Sequence, residues 1–304
     1  MDKPAITLER MRTFVQVAER GSFSAVAREN GVGQSTITRH ITELETGLGA
    51  TLLNRTTRRV TFTAEGAKYL VDASAILRLV DEAADGIRAA SDRLSGSIRV
   101  SSTAALGVHH VAKALFAFQD QHPSVKIDLG LSDVRIDLVR EAVDIAIRLG
   151  PLADSTMQRK AVGNSHRILA ASRDYLDEHG RPQGPGDLLR HQNIRMSNVG
   201  GSETLTLCRS GEDSVTIPVD GRFVVDHGLA AREAIMQGRG IASAHVWLID
   251  DLLHSGVVEQ ILPDYAPAPV PLSILIVPGR ARITRVRALI DALGDALFGL
   301  PGIR

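Results

Sequence analysis

Between Gln34 and His40 the chain carries a run of side chains suited to hydrogen bonds with base edges and phosphates: Gln34, Ser35, Thr36, Thr38, Arg39 and His40. Ile37 and Ile41 interleave with them, and Leu44 and Leu48 continue the apolar positions at helical spacing. One face of such a helix packs on a small bundle, and the other can enter a major groove. Further on, Arg55, Arg58 and Arg59 form the densest basic patch nearby and, with Thr57 between them, suit the phosphate backbone or the minor groove. The same spacing also fits a polar helix that merely faces solvent, and spacing alone does not choose between the two.

The neighbouring segments would position this face. Leu8, Met11, Phe14, Val15 and Ala18 mark a first helix ending at Gly21. Ser22 or Ser24 can cap a short second helix through Ala25, Val26 and Ala27, which stops at Asn30 and Gly31. Two short helices joined by a glycine turn make a helix-turn-helix. Leu52 to Arg55 and Arg59 to Phe62 flank a polar tip and predict a small hairpin wing. From Ala64 to about Arg93, with Thr63 as cap, the pattern becomes one long helix. Ala73, Ile76, Val80, Ala83 and Ile87 alternate spacings of three and four, the a/d seam of a coiled coil. That stripe calls for a partner helix, either in a second copy or within the same chain.

Beyond Gly96 the texture is strand, helix, strand. Ser97 to Ser101, Val125 to Leu131 and Asp144 to Arg148 read as strands, with an apolar helix through Val111, Leu115 and Phe118. Arg167 to Ala171, Gly240 to Ala244 and Leu272 to Val277 follow, and a last helix spans Thr284 to Phe298. Such alternation predicts a largely parallel sheet with helices on both faces.

Bulk composition narrows the classes. A length of 304 residues implies two or three domains, and 44% hydrophobic with 23% charged residues is ordinary for a globular protein. No run reaches the roughly 18–20 apolar residues of a membrane span, and the charged start from Met1 to Glu9 lacks a secretory signal. Both point to a cytoplasmic protein. The 35 basic and 35 acidic side chains cancel, which leaves room for a local basic patch. The lone Cys208, in a strand-like run, reads as a half-buried structural thiol and excludes an internal disulfide or cysteine metal site. His109 and His110 are adjacent without an acidic or cysteine cluster, so no metal is expected there. The chain also lacks a P-loop, G-x-S-x-G, H-E-x-x-H and a strand-to-helix G-x-G-x-x-G, so no enzyme chemistry and no cofactor is expected. A solute-binding protein for transport is a second rival, which the absent export signal and the N-terminal segment disfavour.

The segment from Leu8 to Leu70 resembles the winged helix-turn-helix of LysR-type transcriptional regulators. The matching residues are Phe14, Gly21 to Ala25, Ala27, Gly31 to Ser35, Ile37 to Arg39, Ile41, Leu44, Glu45, Leu48, Gly49, Leu52 to Arg55, Phe62, Thr63, Glu65 and Gly66. Val139 to Gly150 and Gly238 to Ile241 resemble the family's effector domain. Gly33 stands where the family usually has serine, and Asn30 where it usually has leucine.

The resemblance implies an N-terminal all-α winged helix-turn-helix over 1–63 and a dimerisation helix over 64–93. It further implies a two-subdomain α/β effector-binding domain over 96–304, similar to periplasmic binding proteins. Subdomain I takes about 96–163 and 267–304, and subdomain II about 164–266. A cleft of that kind holds a small anion with backbone N–H groups and hydroxyls. Ser102 and Thr103 end the first strand before a helix, Ser132 and Arg148 end others, and Asn198 and His227 lie at corresponding places in the second half. Ser102 or Thr103 can equally cap the following helix, and Arg148 can equally bridge to Asp144 or Glu141. The implied partners are double-stranded DNA, further copies of the chain as homodimer or homotetramer, RNA polymerase, and an unidentified small effector.

Overall fold

The computed structural model describes residues 6–55, 60–88, 94–134, 137–138, 141–151, 157–197, 203–209, 211 and 213–304, which fall into two compact units that part near Gly96. In the first unit, α1 (Leu8–Arg20), α2 (Phe23–Glu29) and α3 (Gln34–Leu48) precede a hairpin of β1 (Leu53–Arg55) and β2 (Val60–Phe62). Each start and stop has a local cause. The Thr7 hydroxyl accepts from Arg10 N–H and the Ser22 hydroxyl from Ala25 N–H, both at 3.3 Å, so α1 and α2 begin where an orphan donor finds an oxygen. Gly31, at φ +64°, takes the left-handed turn between α2 and α3 that a side chain would resist. Opposite strands pair Leu53 with Phe62 and Arg55 with Val60.

The core of this unit gathers Phe14, Val17, Val26, Ala27, Ile37, Ile41, Leu44, Leu52 and Leu53. The Phe14 ring lies edge-on to Phe62, with centroids 6.4 Å apart, and tilted against Tyr69 at 5.6 Å. Burying such a ring contributes about 1.5–3 kcal/mol. The long helix α4 (Ala64–Arg88) begins where the Thr63 hydroxyl accepts from Gly66 N–H at 2.9 Å and donates to Thr51 O at 2.7 Å. Its seam differs from the heptad reading at one end. Ala73 is fully buried within this unit's own core, because the first turns of α4 pack on α1. The exposed apolar residues are Ile76 and Leu79, with Val80 half-buried. The side chains of Ala83 and Ile87 lie outside the described residues.

The second unit opens with β3 (Gly96–Ser102), the short α5 (Ala104–Leu106), a π-helical turn over Gly107–Val111, α6 (Ala112–Gln121), β4 (Val125–Leu131) and β5 (Ile145–Leu149). It continues through β6 (Gln158–Ser165), β7 (Arg167–Ser172), α7 (Arg173–His179), β8 (Arg195–Met196), β9 (Thr204–Cys208), β10 (Val215–Pro218) and β11 (Val224–Val225). Then come α8 (Gly228–Met236), β12 (Ala242–His245), α9 (Val246–His254), β13 (Val258–Ile261), β14 (Ala266–Pro267), β15 (Val270–Ile276) and α10 (Thr284–Phe298).

A five-stranded sheet has the order β4-β3-β5-β15-β6, while β12-β7-β13, β10-β9-β14 and the pair β11-β8 belong to the intervening chain. The expectation of largely parallel pairing needs correction. β3 and β5 are parallel, but β15 runs antiparallel to both β5 and β6, and β7 is antiparallel to both its neighbours. A chain that returns to its first sheet from the far side enters it in the opposite sense, and periodicity along one strand does not report that. Cys208 also departs from expectation. Leu207 points into the core, so by strand alternation its neighbour faces out, and the thiol is exposed.

Two adjacent connections link the sheets, at Ser165 to Arg167 and at Pro267 to Val270. The Arg167 guanidinium donates to Ala268 O at 2.8 Å and so ties one connection to the other. Beside it, the buried Ser165 hydroxyl shares a 2.7 Å hydrogen bond with His245 Nδ1 and accepts from the Trp247 indole N–H at 2.9 Å. The His245 ring stacks on Trp247, 5.3 Å between centroids. Burial, helped by the charge of Arg167, pushes the His245 pKa down to about 3.

The unfolded chain therefore takes up this proton first, near pH 6.5, and the folded chain only near pH 3. The stabilisation from neutral His245 is complete above about pH 6.5 and drains away as the pH falls towards 3. Urea denaturation should show an acid-side loss on the order of 2–4 kcal/mol that His245→Gln removes. Parallel pH profiles for parent and variant would show that this ring is not responsible.

Candidate functional site

The outward face of α3 is set by its inward one. Ile37, Ile41 and Leu44 are buried, so Gln34, Ser35 and Arg39 are exposed, and Thr36 and Thr38 are half-exposed. His40 does not join them. It stands three residues after Ile37 and four before Leu44, which puts it on the packed side. Its Nδ1 lies 3.0 Å from the Thr13 hydroxyl and its Nε2 3.8 Å from Glu9, and its side chain is only 13% exposed. The ring anchors α3 on α1, as does the 2.6 Å ion pair of Arg10 with Glu43. Thr57, Arg58 and Arg59 lie outside the described residues, as does the Arg55 side chain.

Both departures from the family pattern have local accounts. Asn30 forms a paired amide contact with Gln16, donating at 2.8 Å and accepting at 3.3 Å, so a polar side chain joins α1 and α2 where leucine would have packed. Gly33 opens α3 without a side-chain cap, and its carbonyl instead accepts from Thr36 N–H at 2.9 Å.

Sequence reasoning overlooked the role of Glu45. Its Oε1 accepts from the backbone N–H of Leu52 at 2.8 Å and of Leu53 at 3.2 Å. One carboxylate thus fastens the base of the wing to α3 and fixes the angle between the two basic elements.

In the second unit, the ends of β3 and β4 and the start of α8 come together. Ser132 N–H donates to Ser102 O at 2.9 Å, which sets the end of β4 beside the end of β3. Ser102 is completely buried, and neither its hydroxyl nor that of Thr103 has a hydrogen-bond partner among the described residues. Thr103 precedes α5 but makes no side-chain capping bond. That role falls to Asp133, whose Oδ1 accepts from Ala104 N–H at 3.0 Å. The Ser132 hydroxyl is engaged in its own turn, with Val134 O and N–H at 3.3 and 3.2 Å.

Arg148 bridges to neither Asp144 nor Glu141. Its guanidinium donates to the Ser101 hydroxyl at 2.8 Å and to Ile147 O at 3.0 Å. Asp144 is held elsewhere, by Arg99 N–H at 2.8 Å and the Arg280 guanidinium at 3.1 Å. Burial lowers the pKa of Arg148, and the nearby Asp133 charge acts the other way. His227 caps α8 by accepting from Leu229 N–H at Nδ1, 3.2 Å, and turns Nε2 towards Asp133 Oδ2, also at 3.2 Å. Asn198 lies outside the described residues.

Residues 8–67 match the model of the bacterial regulatory helix-turn-helix protein, LysR family, and residues 91–298 match the LysR substrate binding domain. The chain is 33% identical over 282 residues to the HTH-type transcriptional regulator DmlR of Escherichia coli K12, covering 91% of this chain and 92% of that one. It is 30% identical over 290 residues to the regulator CrgA of Neisseria meningitidis serogroup C, covering 95% and 96%. The solved structure of CrgA, a LysR-type transcriptional regulator from Neisseria meningitidis, superposes with a TM-score of 0.62 at 29% identity, covering 96% and 99%. Full-length AphB, a virulence activator of Vibrio cholerae, superposes with a TM-score of 0.61 at 27% identity, covering 95% and 98%.

Replacing Glu45 by alanine removes the acceptor of two backbone donors. Glu45→Ala should destabilise the N-terminal unit by about 3 kcal/mol, the low end for two hydrogen bonds to a charged group at roughly 1.5–3 kcal/mol each, because both are only part-buried. Glu45→Gln, which keeps an oxygen in reach, should recover part of that loss in thermal denaturation. Equal loss in both variants would mean the carboxylate acts by charge alone.

Proposed function

Because the chain belongs to the LysR family of DNA-binding transcriptional regulators with a C-terminal effector-binding domain, we propose the following division of labour among its residues. Gln34, Ser35, Thr36, Thr38 and Arg39 read base edges and phosphates from the major groove. Arg55, Thr57, Arg58 and Arg59 of the wing hold the neighbouring backbone or minor groove. The observation that carries this reading is the two-sided character of α3, apolar and His40-anchored inside, hydrogen-bonding outside. The stripe that the sequence spacing assigns to Ile76, Val80, Ala83 and Ile87, of which Ile76 is exposed and Val80 half-buried, pairs with α4 of a second copy, and paired copies build a homotetramer. Supporting this, an apolar stripe at alternating spacings of three and four is what one helix offers another. Ser102, Thr103, Ser132, Arg148, Asn198 and His227 take a small organic carboxylate, and its binding changes the regulator's action on RNA polymerase. No described helix is long and apolar enough to cross a membrane, which agrees with a cytoplasmic place of work.

Retardation of DNA from upstream of the chain's own gene, against random DNA of equal length, tests the central reading. Gln34→Ala or Thr36→Ala should lose about 1–3 kcal/mol of discrimination per base contact. Arg58→Ala should weaken both DNAs and flatten the salt dependence. His40→Ala should lower the melting temperature and leave the ratio of the two affinities unchanged. Operator binding by the α3 and wing variants at the parent's affinity and selectivity would remove the groove assignment.

Pairing through α4 has its own measurement. Ile76→Lys with Val80→Lys places two charges on the stripe and should give a species with weaker self-association in sedimentation and poorer operator binding. Unchanged assembly together with normal operator affinity would rule out this helix as the pairing surface.

A further inference from the structure

The contact between Asp133 and His227 is unusual in what it joins. Asp133 follows β4 and satisfies the first N–H of α5, while His227 satisfies an N–H at the start of α8. Since Nδ1 of His227 accepts from Leu229 N–H, the proton of the neutral ring sits on Nε2 and is donated to Asp133. Two helix starts that face each other are thus bridged through one carboxylate and one imidazole. The approach is close, because a Cβ added at Gly228 would lie 3.2 Å from the Cβ of Ala105. The Asp133 side chain is 22% exposed and that of His227 36%, so the bridge is at the rim and not sealed inside. Arg148 supplies positive charge nearby, and the Thr103 hydroxyl adds a buried oxygen without a hydrogen-bond partner among the described residues.

A carboxylate between donors from two opposing elements is what an anionic ligand would be. We propose that Asp133 is the protein's own occupant of the anion position in the cleft, so that a small carboxylate binds by displacing it and thereby releases the strap to His227. The inference rests on the reading of this cleft as the effector site and adds how occupancy is signalled. Charge supports it. With Asp133 in place its charge already favours the Arg148 cation, and a second carboxylate beside Asp133 would face repulsion at short range. Displacement removes that repulsion and breaks the bridge between the two halves, so ligand binding necessarily differs between the strapped and unstrapped states. Such a difference is what a ligand needs to shift a conformational equilibrium.

Asp133→Ala vacates the position and should turn it into a site for free acetate. Isothermal titration of the full-length chain with sodium acetate, against sodium chloride at equal ionic strength, reads this directly. Acetate affinity is expected to be at least tenfold higher in Asp133→Ala than in the parent, and the gain should vanish in Asp133→Ala with His227→Phe. Asp133→Asn keeps the shape without the charge, and is expected to bind acetate more tightly than the parent if the alanine variant does not fold. Equal acetate affinity in the parent and in each folded variant would overturn the proposal. So would a gain that persists unchanged without His227. An acetate gain that leaves operator affinity unmoved would uphold the role of Asp133 and count instead against the cleft as the regulatory site.

Discussion

A backbone N–H that opens an element must find an acceptor, and in this protein several such acceptors are side chains that also join one element to another. Glu45 on α3 accepts from the two amides that begin the wing strand, and Asp133 accepts from the amide that begins α5. His227 serves the start of α8 with one ring nitrogen and meets Asp133 with the other. An orphaned buried donor costs about 1–3 kcal/mol, so these contacts are hard to give up without replacement. Each one also fixes an angle between elements. One such carboxylate joins α3 to the start of β1, and another joins the starts of α5 and α8.

The two connections between the sheets supply the complementary rigidity. Arg167 ties them together through Ala268 O, and Ser165 gathers His245 and Trp247 beside them. His110, on the first-sheet side, adds a contact of 2.9 Å with the carbonyl of Trp247. The connections are therefore packed with rings and hydrogen-bonded side chains, whereas the contact of Asp133 with His227 is a more exposed bridge.

Several helical features were legible in the sequence because they are local. Capping by Ser22 and Thr63, the left-handed turn at Gly31 and the burial of Phe14, Ile37 and Ile41 follow from residue type and spacing within a few turns. The family resemblance rests on the same residues. His40 shows where that reasoning stops. As a polar side chain it belongs with Arg39, yet its angular position belongs with Ile37 and Leu44, and the partner hydroxyl of Thr13 lies 27 positions away. Ala73 is a similar case, since heptad spacing predicts a seam but does not say that α1 already covers its first turn.

The sequence by itself determined the helix-turn-helix, the long helix, most strands of the α/β domain and the family, because hydrophobic period, caps and glycine turns act over short range. Tertiary structure alone decided the direction of β15 against β5, the outward turn of Cys208, the partners of Arg148 and the meeting of Asp133 with His227. These depend on which residues far apart in the chain are brought within about 3 Å of each other, the reach of a hydrogen bond. That information lies in the pairing of elements, and no periodicity along a single segment contains it.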